Sequence, residues 1–275
     1  MKIFISADIE GVAGITNWEH VRMQEPEYAF ARRWMTEEVN AAIEGARETG
    51  ATEFTVTDSH SSMYNIMPDY LDKDALLVRG SPRPLFQMEG IDETFKAVFL
   101  IGYHCMAGTP QALLCHSHLG DIVYEMRLNG IPIGEAAYNA AVAGAFRVPV
   151  ILTTGDNTYA KEVERFLPWT ERVITKWAIT QWSAKNLSPI ASQEKIKAAA
   201  KKALTRLVEM ELFSPSLPVR FEVDFTHPIH AQLASDIPGV EIIGGRTLGY
   251  TGKSMLAVNR IWRLIINSGQ NRLSV

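Results

Sequence analysis

The chain has 275 residues, of which 47% are hydrophobic and 21% charged, a composition typical of a globular protein with one large domain or two smaller ones. The formal net charge of -4 arises from 27 basic and 31 acidic residues without a basic block, so neither nucleic acid nor an anionic membrane is expected as a partner. No apolar run reaches the ~18 residues that a membrane helix needs, and the first residues lack the features of a signal peptide, so we expect a cytoplasmic location.

The first half of the chain alternates short apolar runs with helical patterns, which predicts an α/β fold with a mostly parallel sheet and flanking helices. Predicted strands cover residues 2–7, 52–57, 96–102 and 148–153. Residues 27–48 repeat apolar side chains at helical spacing, and Gly50 ends this predicted helix.

The second half of the chain shows a different order of elements. Residues 122–133 predict two strands joined by Asn129-Gly130, a dipeptide suited to a type I′ turn. The glycine cluster at 244–249 predicts a turn. These patterns favour two α/β domains, residues 1–160 and a smaller C-terminal domain of residues 161–275, with the boundary between 155 and 190. Helices are predicted at 135–146, 192–212 and 254–266, and a strand at 219–224.

Side chains that bind metals follow three of the predicted strands. Asp8 and Glu10 follow the first strand, His60 the second and His104 the third. Because ligands bind at the carboxyl ends of strands in open α/β sheets, we expect these side chains to lie together. Asp8 and Glu10 are two positions apart, so their carboxylates share a side and repel each other unless a cation lies between them. The sequence therefore predicts that residues 1–160 form a metal-binding domain.

The ligand types indicate which metal is expected. Imidazole together with carboxylate suits zinc, and also manganese or cobalt. A shared carboxylate, for which Asp8 is the candidate, would bridge two ions that activate a water and polarise a carbonyl or phosphoryl oxygen. Gly11 and Gly14 do not complete a G-x-G-x-x-G fingerprint, which excludes a dinucleotide site at this turn. Glu135 opens a predicted helix, where a glutamate is favourable with or without a metal.

Two further histidines follow near the same end of the sheet. His116 and His118 share a side of an extended segment, so either one could donate a proton or stabilise an oxyanion, and the pattern of residues does not choose between them. We expect the remaining histidines to be structural or surface residues: His20, His227 and His230.

A series of short motifs occurs in order over roughly the first 190 residues. They are S-x-D-x-E-G at 6–11, M-T-E-E at 35–38, T-D-S-H at 57–60, E-G-x-D-x-T-F at 89–95, G-Y-H at 102–104, H-S at 116–117 or S-H at 117–118, P-x-G-E at 132–135 and L-S-P at 187–189. In these motifs the chain resembles the bacterial zinc-dependent D-aminopeptidases, which are associated with dipeptide transport and the use of cell-wall peptides.

The resemblance implies a role for each motif residue. Asp8 would bridge two zinc ions per subunit, with one site completed by Glu10 and His60 and the other by His104 and Glu135. The active-site histidine of the family falls on His116, and a difference of one residue in the length of the nearby loop leaves His118 as its competitor.

The resemblance also implies an activity and an assembly. The expected enzyme is a binuclear zinc aminopeptidase that uses metal-activated water to hydrolyse short peptides containing D-amino acids, such as D-Ala-D-Ala. It would form a homo-oligomer, a ring-shaped decamer whose active sites face a central channel. The alternatives are a zinc amidase that cleaves γ-D-glutamyl bonds of muropeptides, a two-metal phosphoesterase, and a non-catalytic zinc-binding or peptide-binding protein.

Overall fold

A computed structural model describes residues 1–269, which form two β-sheets flanked by helices. In chain order the strands are β1 (Lys2–Ala7), β2 (Glu53–Asp58), β3 (Ala75–Val78), β4 (Ala97–Ile101), β5 (Val123–Leu128), β6 (Ile131–Ile133), β7 (Val150–Asp156), β8 (Glu171–Thr180), β9 (Ser183–Asn186), β10 (Val219–Phe225), β11 (Val240–Gly244) and β12 (Thr247–Gly252). The helices are α1 (Tyr28–Arg47), α2 (Glu135–Ala145), α3 (Asn157–Phe166), α4 (Pro189–Thr205), α5 (Pro228–Ala234) and α6 (Met255–Gly269).

The first sheet is mostly parallel, as predicted. Its strand order is β3-β2-β1-β4-β7-β8-β9, and every neighbouring pair is parallel except β8 and β9. The chain winds outward in opposite directions from β1 and β4, so the strand order reverses between these two strands. In an open α/β sheet, the carboxyl ends of the strands at such a reversal form a crevice where ligands bind.

Alternate side chains of β1 enter two separate layers of the core. Ile3 and Ile5 pack in the layer that includes apolar residues of α1 and α4. Phe4 points to the opposite face, into the layer that includes residues of α2, α6 and the second sheet. Because both faces are covered, every residue of β1 after Lys2 is buried, which explains its nearly continuous apolar sequence.

The second sheet is antiparallel and has the order β11-β12-β10-β5-β6. The predicted hairpin at 122–133 is confirmed, and its turn residues Asn129 and Gly130 have φ angles of 50° and 79°. Strand β6 ends at Ile133, and α2 begins two residues later at Glu135. The hairpin therefore leads directly into the helix that carries this glutamate.

The strands of the two sheets alternate along the chain. Strands β5 and β6 belong to the second sheet, whereas β8 and β9, which come later in the chain, extend the first. Each sheet takes strands from both predicted ranges, 1–160 and 161–275. The division into two domains at this boundary remains a prediction.

The predicted helix at 192–212 differs from α4, which begins at Pro189 after the N-cap Ser188 and ends at Thr205. None of the helices in residues 1–269 combines the length and apolarity that crossing a membrane requires.

Candidate metal centre

The carboxyl ends of β1, β2 and β4 meet at one edge of the first sheet. Ala7, the last residue of β1, pairs with Asp58 on one side and with Ile101 on the other. Backbone bonds continue this ladder beyond the strands, because the Asp8 N–H donates to Ile101 O and the Ser59 N–H donates to Ala7 O, both at 2.8 Å. The residues that follow the three strands are thus held at one level of the sheet.

Two glycines allow the loops after β1 and β4 to touch. The Gly11 N–H donates to Gly102 O at 2.7 Å. A Cβ atom on Gly11 would lie 2.1 Å from Tyr103 O, and one on Gly102 would lie 2.3 Å from Asp8 O. Gly102 also has a φ of +75°, in the left-handed region. Glycine at both positions therefore brings the segments that carry Asp8 and His104 into contact.

Asp8 lies between two histidines, which follow the different strands β2 and β4. Its Oδ1 atom is 3.4 Å from His60 Nδ1, and its Oδ2 atom is 3.5 Å from His104 Nε2. Glu10 Oε1 lies 3.1 Å from His60 Nδ1, and Glu135 Oε1 lies 3.4 Å from His104 Nε2. All five side chains are buried. The structure thus brings the five predicted ligands together as two adjacent sets with Asp8 between them.

Backbone carbonyl groups orient the histidine rings of this cluster. His60 Nε2 lies 2.9 Å from Val21 O, His104 Nδ1 lies 2.9 Å from Cys105 O, and His116 Nδ1 lies 2.9 Å from Leu114 O. A ring N–H that donates to a carbonyl leaves the other ring nitrogen free to bind a metal, an arrangement found at most histidine metal sites. In each ring the nitrogen without a carbonyl partner is the one nearest a carboxylate of the cluster.

The carboxylates of the cluster are electrostatically coupled. Burial, and then the charge of Glu10, raise the pKa of Asp8 to about 6. Burial also favours a higher pKa for Glu10, but the charges of the histidines, chiefly His60, outweigh it and hold the Glu10 pKa well below its usual range. Burial acts to lower the pKa values of His60 and His104, yet the nearby carboxylates raise both well above the ordinary value. Binding of a metal cation would displace protons from these rings.

Unpartnered atoms at the centre of the cluster fit a bound cation. Both carboxylate oxygens of Glu10 and the Nε2 atom of His104 are buried without a hydrogen-bond partner in the described structure. A buried polar atom that lacks a partner costs about 1–3 kcal/mol, and more if it is charged. A metal ion would satisfy these atoms, and a set of carboxylates and imidazoles suits zinc.

The structure places the two remaining candidate histidines differently. The His116 ring lies parallel to the His104 ring at 4.0 Å between centroids, and its Nε2 atom is 3.9 Å from Glu10 Oε1. His118 has a φ of 53°, and its ring packs among aromatic side chains, namely Phe86, Tyr138 and Trp262. Only the backbone N–H of His118 reaches the cluster, where it donates to Glu135 Oε1 at 2.7 Å.

Sequence reasoning missed a polar network that orients Glu135. Gln87 Nε2 donates to Glu135 Oε2, and Asn139 Nδ2 donates to Gln87 Oε1 at 2.7 Å and to the Tyr103 hydroxyl at 3.0 Å. Asn139 lies four residues after Glu135, on the same face of α2, in an otherwise Ala-rich helix. The four-residue spacing could have predicted that Asn139 lies beside Glu135, whereas nothing in the sequence indicates a role for Gln87.

Comparisons with known proteins identify the family of this chain. A family model described as D-aminopeptidase matches residues 1–264. The chain belongs to the D-aminopeptidase family. Within this family, a D-aminopeptidase from Bacillus subtilis is 34% identical over 258 residues, covering 93% of each chain. The solved structure of the Zn-dependent D-aminopeptidase DppA from Bacillus subtilis, described as a self-compartmentalizing protease, matches with a TM-score of 0.95 and 32% identity over 100% of both chains. The predicted fold class and peptidase family are therefore confirmed.

Proposed function

We propose that this member of the D-aminopeptidase family is a binuclear zinc aminopeptidase that hydrolyses short peptides with a D-amino acid at the amino terminus, such as D-Ala-D-Ala. The observation that carries this proposal is the position of Asp8, whose two carboxylate oxygens face His60 and His104 separately. The names of the relatives, D-aminopeptidase and Zn-dependent D-aminopeptidase, support the class of substrate and the metal.

The residues of the cluster would divide between two zinc ions that share Asp8. Glu10 and His60 would hold one ion, and His104 and Glu135 the other, in agreement with the two sets of short distances. Bound zinc would supply an activated water and a Lewis acid for the scissile carbonyl at neutral pH. The hydrogen bonds from Gln87 and from the His118 N–H would hold Glu135 in the orientation that metal binding requires.

His116 is the residue that we propose for proton transfer to the leaving amine or for stabilisation of the oxyanion. Its Nδ1 atom is engaged by Leu114 O, which directs Nε2 toward the cluster. Burial, and then the charge of His104, lower the pKa of His116 below its usual value. A neutral imidazole at working pH is able to accept a proton and pass it to the leaving group.

We further propose that the chain works in the cytoplasm as a homo-oligomer, in the form of a ring-shaped decamer with its active sites facing a central channel. The description of the solved relative as self-compartmentalizing supports an assembly of this kind. Light scattering of the purified protein is expected to give a mass of ten 30.6 kDa chains. A mass of one or two chains at working concentration would contradict the ring.

Metal analysis combined with a panel of substrates tests the proposed activity. We expect two equivalents of zinc per chain and hydrolysis of D-Ala-D-Ala in preference to L-Ala-L-Ala. The panel includes a muropeptide with a γ-D-glutamyl bond and nitrophenyl phosphate, which report the amidase and phosphoesterase alternatives. Two equivalents of zinc with cleavage of the γ-D-glutamyl bond alone would replace the aminopeptidase by the amidase, and zinc binding without turnover of any substrate would indicate a binding protein.

A further inference from the structure

A cavity of about 380 Å³ adjoins the metal centre on the side of Glu135. Ser59, Gln87 and His118 line this cavity. The side chain of Gln87 and the backbone N–H of His118 both donate to the Glu135 carboxylate, so the cavity lies next to this proposed metal ligand. Pockets for small ligands typically have roughly 300–1,000 Å³. A larger groove of about 690 Å³ between α1 and α4 reaches none of the proposed metal ligands.

The lining of this cavity is basic and rich in hydroxyl groups. It includes Arg83, Arg263, His118 and four serines, and none of its lining residues in the described range 1–269 is an aspartate or a glutamate. The lining residues therefore carry positive charge and no negative charge, which favours an anion over a cationic group in the cavity.

Three nitrogen atoms of the lining lack a hydrogen-bond partner within residues 1–269. They are the Nε atoms of Arg83 and Arg263 and the Nε2 atom of His118, each buried from solvent. Arg83 is only 7% exposed, and its terminal nitrogens already donate to Thr57 Oγ1 and Asp58 O. Arg263 lies on α6 and makes no hydrogen bond or ion pair to another described residue, so its guanidinium is available to a ligand. Buried donors that have no partner carry a cost in free energy.

We propose that this cavity binds the C-terminal carboxylate of the peptide substrate and that Arg263 is its main recognition residue. This proposal rests on the proposed aminopeptidase function. A guanidinium binds a carboxylate through two parallel, charge-assisted hydrogen bonds, which the hydroxyl groups of the lining supplement. The apolar side chains of Phe86 and Ile266 in the same lining offer a surface for a small substrate side chain.

The position of the cavity also limits the length of the peptide. An extended chain spans at most about 3.3–3.6 Å per residue, so a carboxylate beside Glu135 belongs to a peptide that extends only a residue or two beyond the scissile bond. The cavity thus selects very short peptides with a free carboxyl terminus, and longer peptides or peptide amides lose the contact with Arg263.

Paired substrates that differ only at the carboxyl terminus test this proposal. D-Ala-D-Ala and D-Ala-D-Ala amide are assayed with the wild-type zinc enzyme, with Arg263→Gln and with Arg260→Gln, whose exposed arginine lies one turn away on α6. Because hydrogen bonds to charged groups contribute about 1.5–3 kcal/mol, we expect Arg263→Gln to raise KM for the free acid by about 10-fold to 100-fold. KM for the amide should not change, and Arg260→Gln should match the wild type with both substrates.

A binding measurement separates this proposal from the proposed function. Titration calorimetry with N-acetyl-D-alanine and its amide, which are not substrates of an aminopeptidase, reports carboxylate recognition without turnover. We expect the wild type to bind the acid at least 10-fold more tightly than the amide and Arg263→Gln to lose this difference. Equal binding of acid and amide by the wild type, or an unchanged preference in Arg263→Gln, would overturn the carboxylate site even if the peptidase assay succeeds. If the protein binds the acid more tightly than the amide but cleaves no D-peptide, the carboxylate site is supported and the aminopeptidase activity is rejected.

Discussion

The ammonium group of Lys176 lies 2.6 Å from the backbone oxygen of Glu10. The same group donates to Val12 O and Ile15 O, each at 2.7 Å, so one side chain from β8 holds three carbonyls of the loop that follows β1. Lys176 is fully buried, and burial lowers its pKa to about 7. Its contacts fix the backbone on either side of Gly11 and thereby the position of the Glu10 carboxylate.

Replacement of this lysine should therefore weaken metal binding. In Lys176→Met the three carbonyls lose their donor and the loop carrying Glu10 loosens, so we expect zinc affinity to fall by about 10-fold to 100-fold, as for other residues that orient metal ligands. Competition with a chromophoric chelator measures the affinity. The control is Lys161→Met, an exposed lysine on α3. A folded Lys176→Met protein with wild-type zinc affinity would contradict this positioning role.

Variants of the ligands should differ in how much zinc they lose. Asp8→Asn changes the residue that faces both histidines, so we expect it to retain close to no zinc. His60→Ala and His104→Ala each remove a ligand from one set and should each retain about one equivalent of the two expected from a binuclear site. Elemental analysis after gel filtration counts the metal. A single equivalent in the wild type, or equal loss in all three variants, would argue against two sites sharing Asp8.

Loss of the His116 imidazole should affect turnover and not metal content. Because general acid-base groups contribute about 10²-fold to 10⁴-fold, we expect kcat of His116→Ala to fall by a factor in that range while zinc content stays at the wild-type level. His227→Ala, which changes an exposed histidine, is the matched control. Loss of zinc from His116→Ala would instead identify this histidine as a ligand, in accord with its place beside His104 and Glu135.

A side chain at Gly11 should separate the loops after β1 and β4. The Cβ atom of Gly11→Ala would lie 2.1 Å from Tyr103 O, a backbone atom that does not yield easily. We expect a loss of about 1–3 kcal/mol or more in the free energy of unfolding, together with weaker zinc binding. Gly245→Ala is the control, because its Cβ would meet open space. Denaturant titration should therefore give a lower free energy of unfolding for Gly11→Ala than for Gly245→Ala. Equal values would contradict the close approach of Gly11 to Tyr103 O.

The stability of the chain should depend on Glu162 in a pH-dependent way. Burial raises the pKa of Glu162 to about 7 from a usual value of 4.5, so the folded state holds its proton more tightly than the unfolded state. The resulting contribution to stability is fully present below pH 4.5 and is lost as the pH rises through about 7. The side chain of Glu162→Gln stays neutral at every pH. As the pH rises from 4.5 to about 7, the free energy of unfolding of this variant should therefore increase by roughly 3 kcal/mol relative to that of the wild type.

Denaturant titrations at a series of pH values check this expectation. Glu164→Gln, an exposed position on the same helix, is the control and should follow the wild type throughout. A constant difference between Glu162→Gln and the wild type from pH 4.5 to 7 would show that the carboxyl group does not titrate in that range.

Local patterns in the sequence predicted the elements that have strong periodicity or clear boundaries. Strand β1, helix α1 and the hairpin of β5 and β6 match their predicted ranges within a residue or two. The prediction missed β8, which carries Lys176, because its alternation is interrupted by polar and charged residues whose partners lie elsewhere in the fold. A lysine in a buried strand is stable only when carbonyl groups accept hydrogen bonds from it. For Lys176 these carbonyls lie at least 161 residues earlier in the chain, so no local pattern predicts them.

The sequence by itself determined that Asp8, Glu10, His60 and His104 share one edge of the sheet, because parallel strands carry their carboxyl ends to the same side. Only the tertiary structure decided which of the two later histidines faces the cluster. His116 and His118 are equivalent in a regular extended segment, but the positive φ of His118 turns its ring toward α6 and leaves only its N–H on Glu135. The tertiary structure also places Arg83 and Arg263 in the lining of one cavity. These residues lie far apart in the chain, so their proximity depends on the packing of whole sheets and helices and not on neighbouring residues.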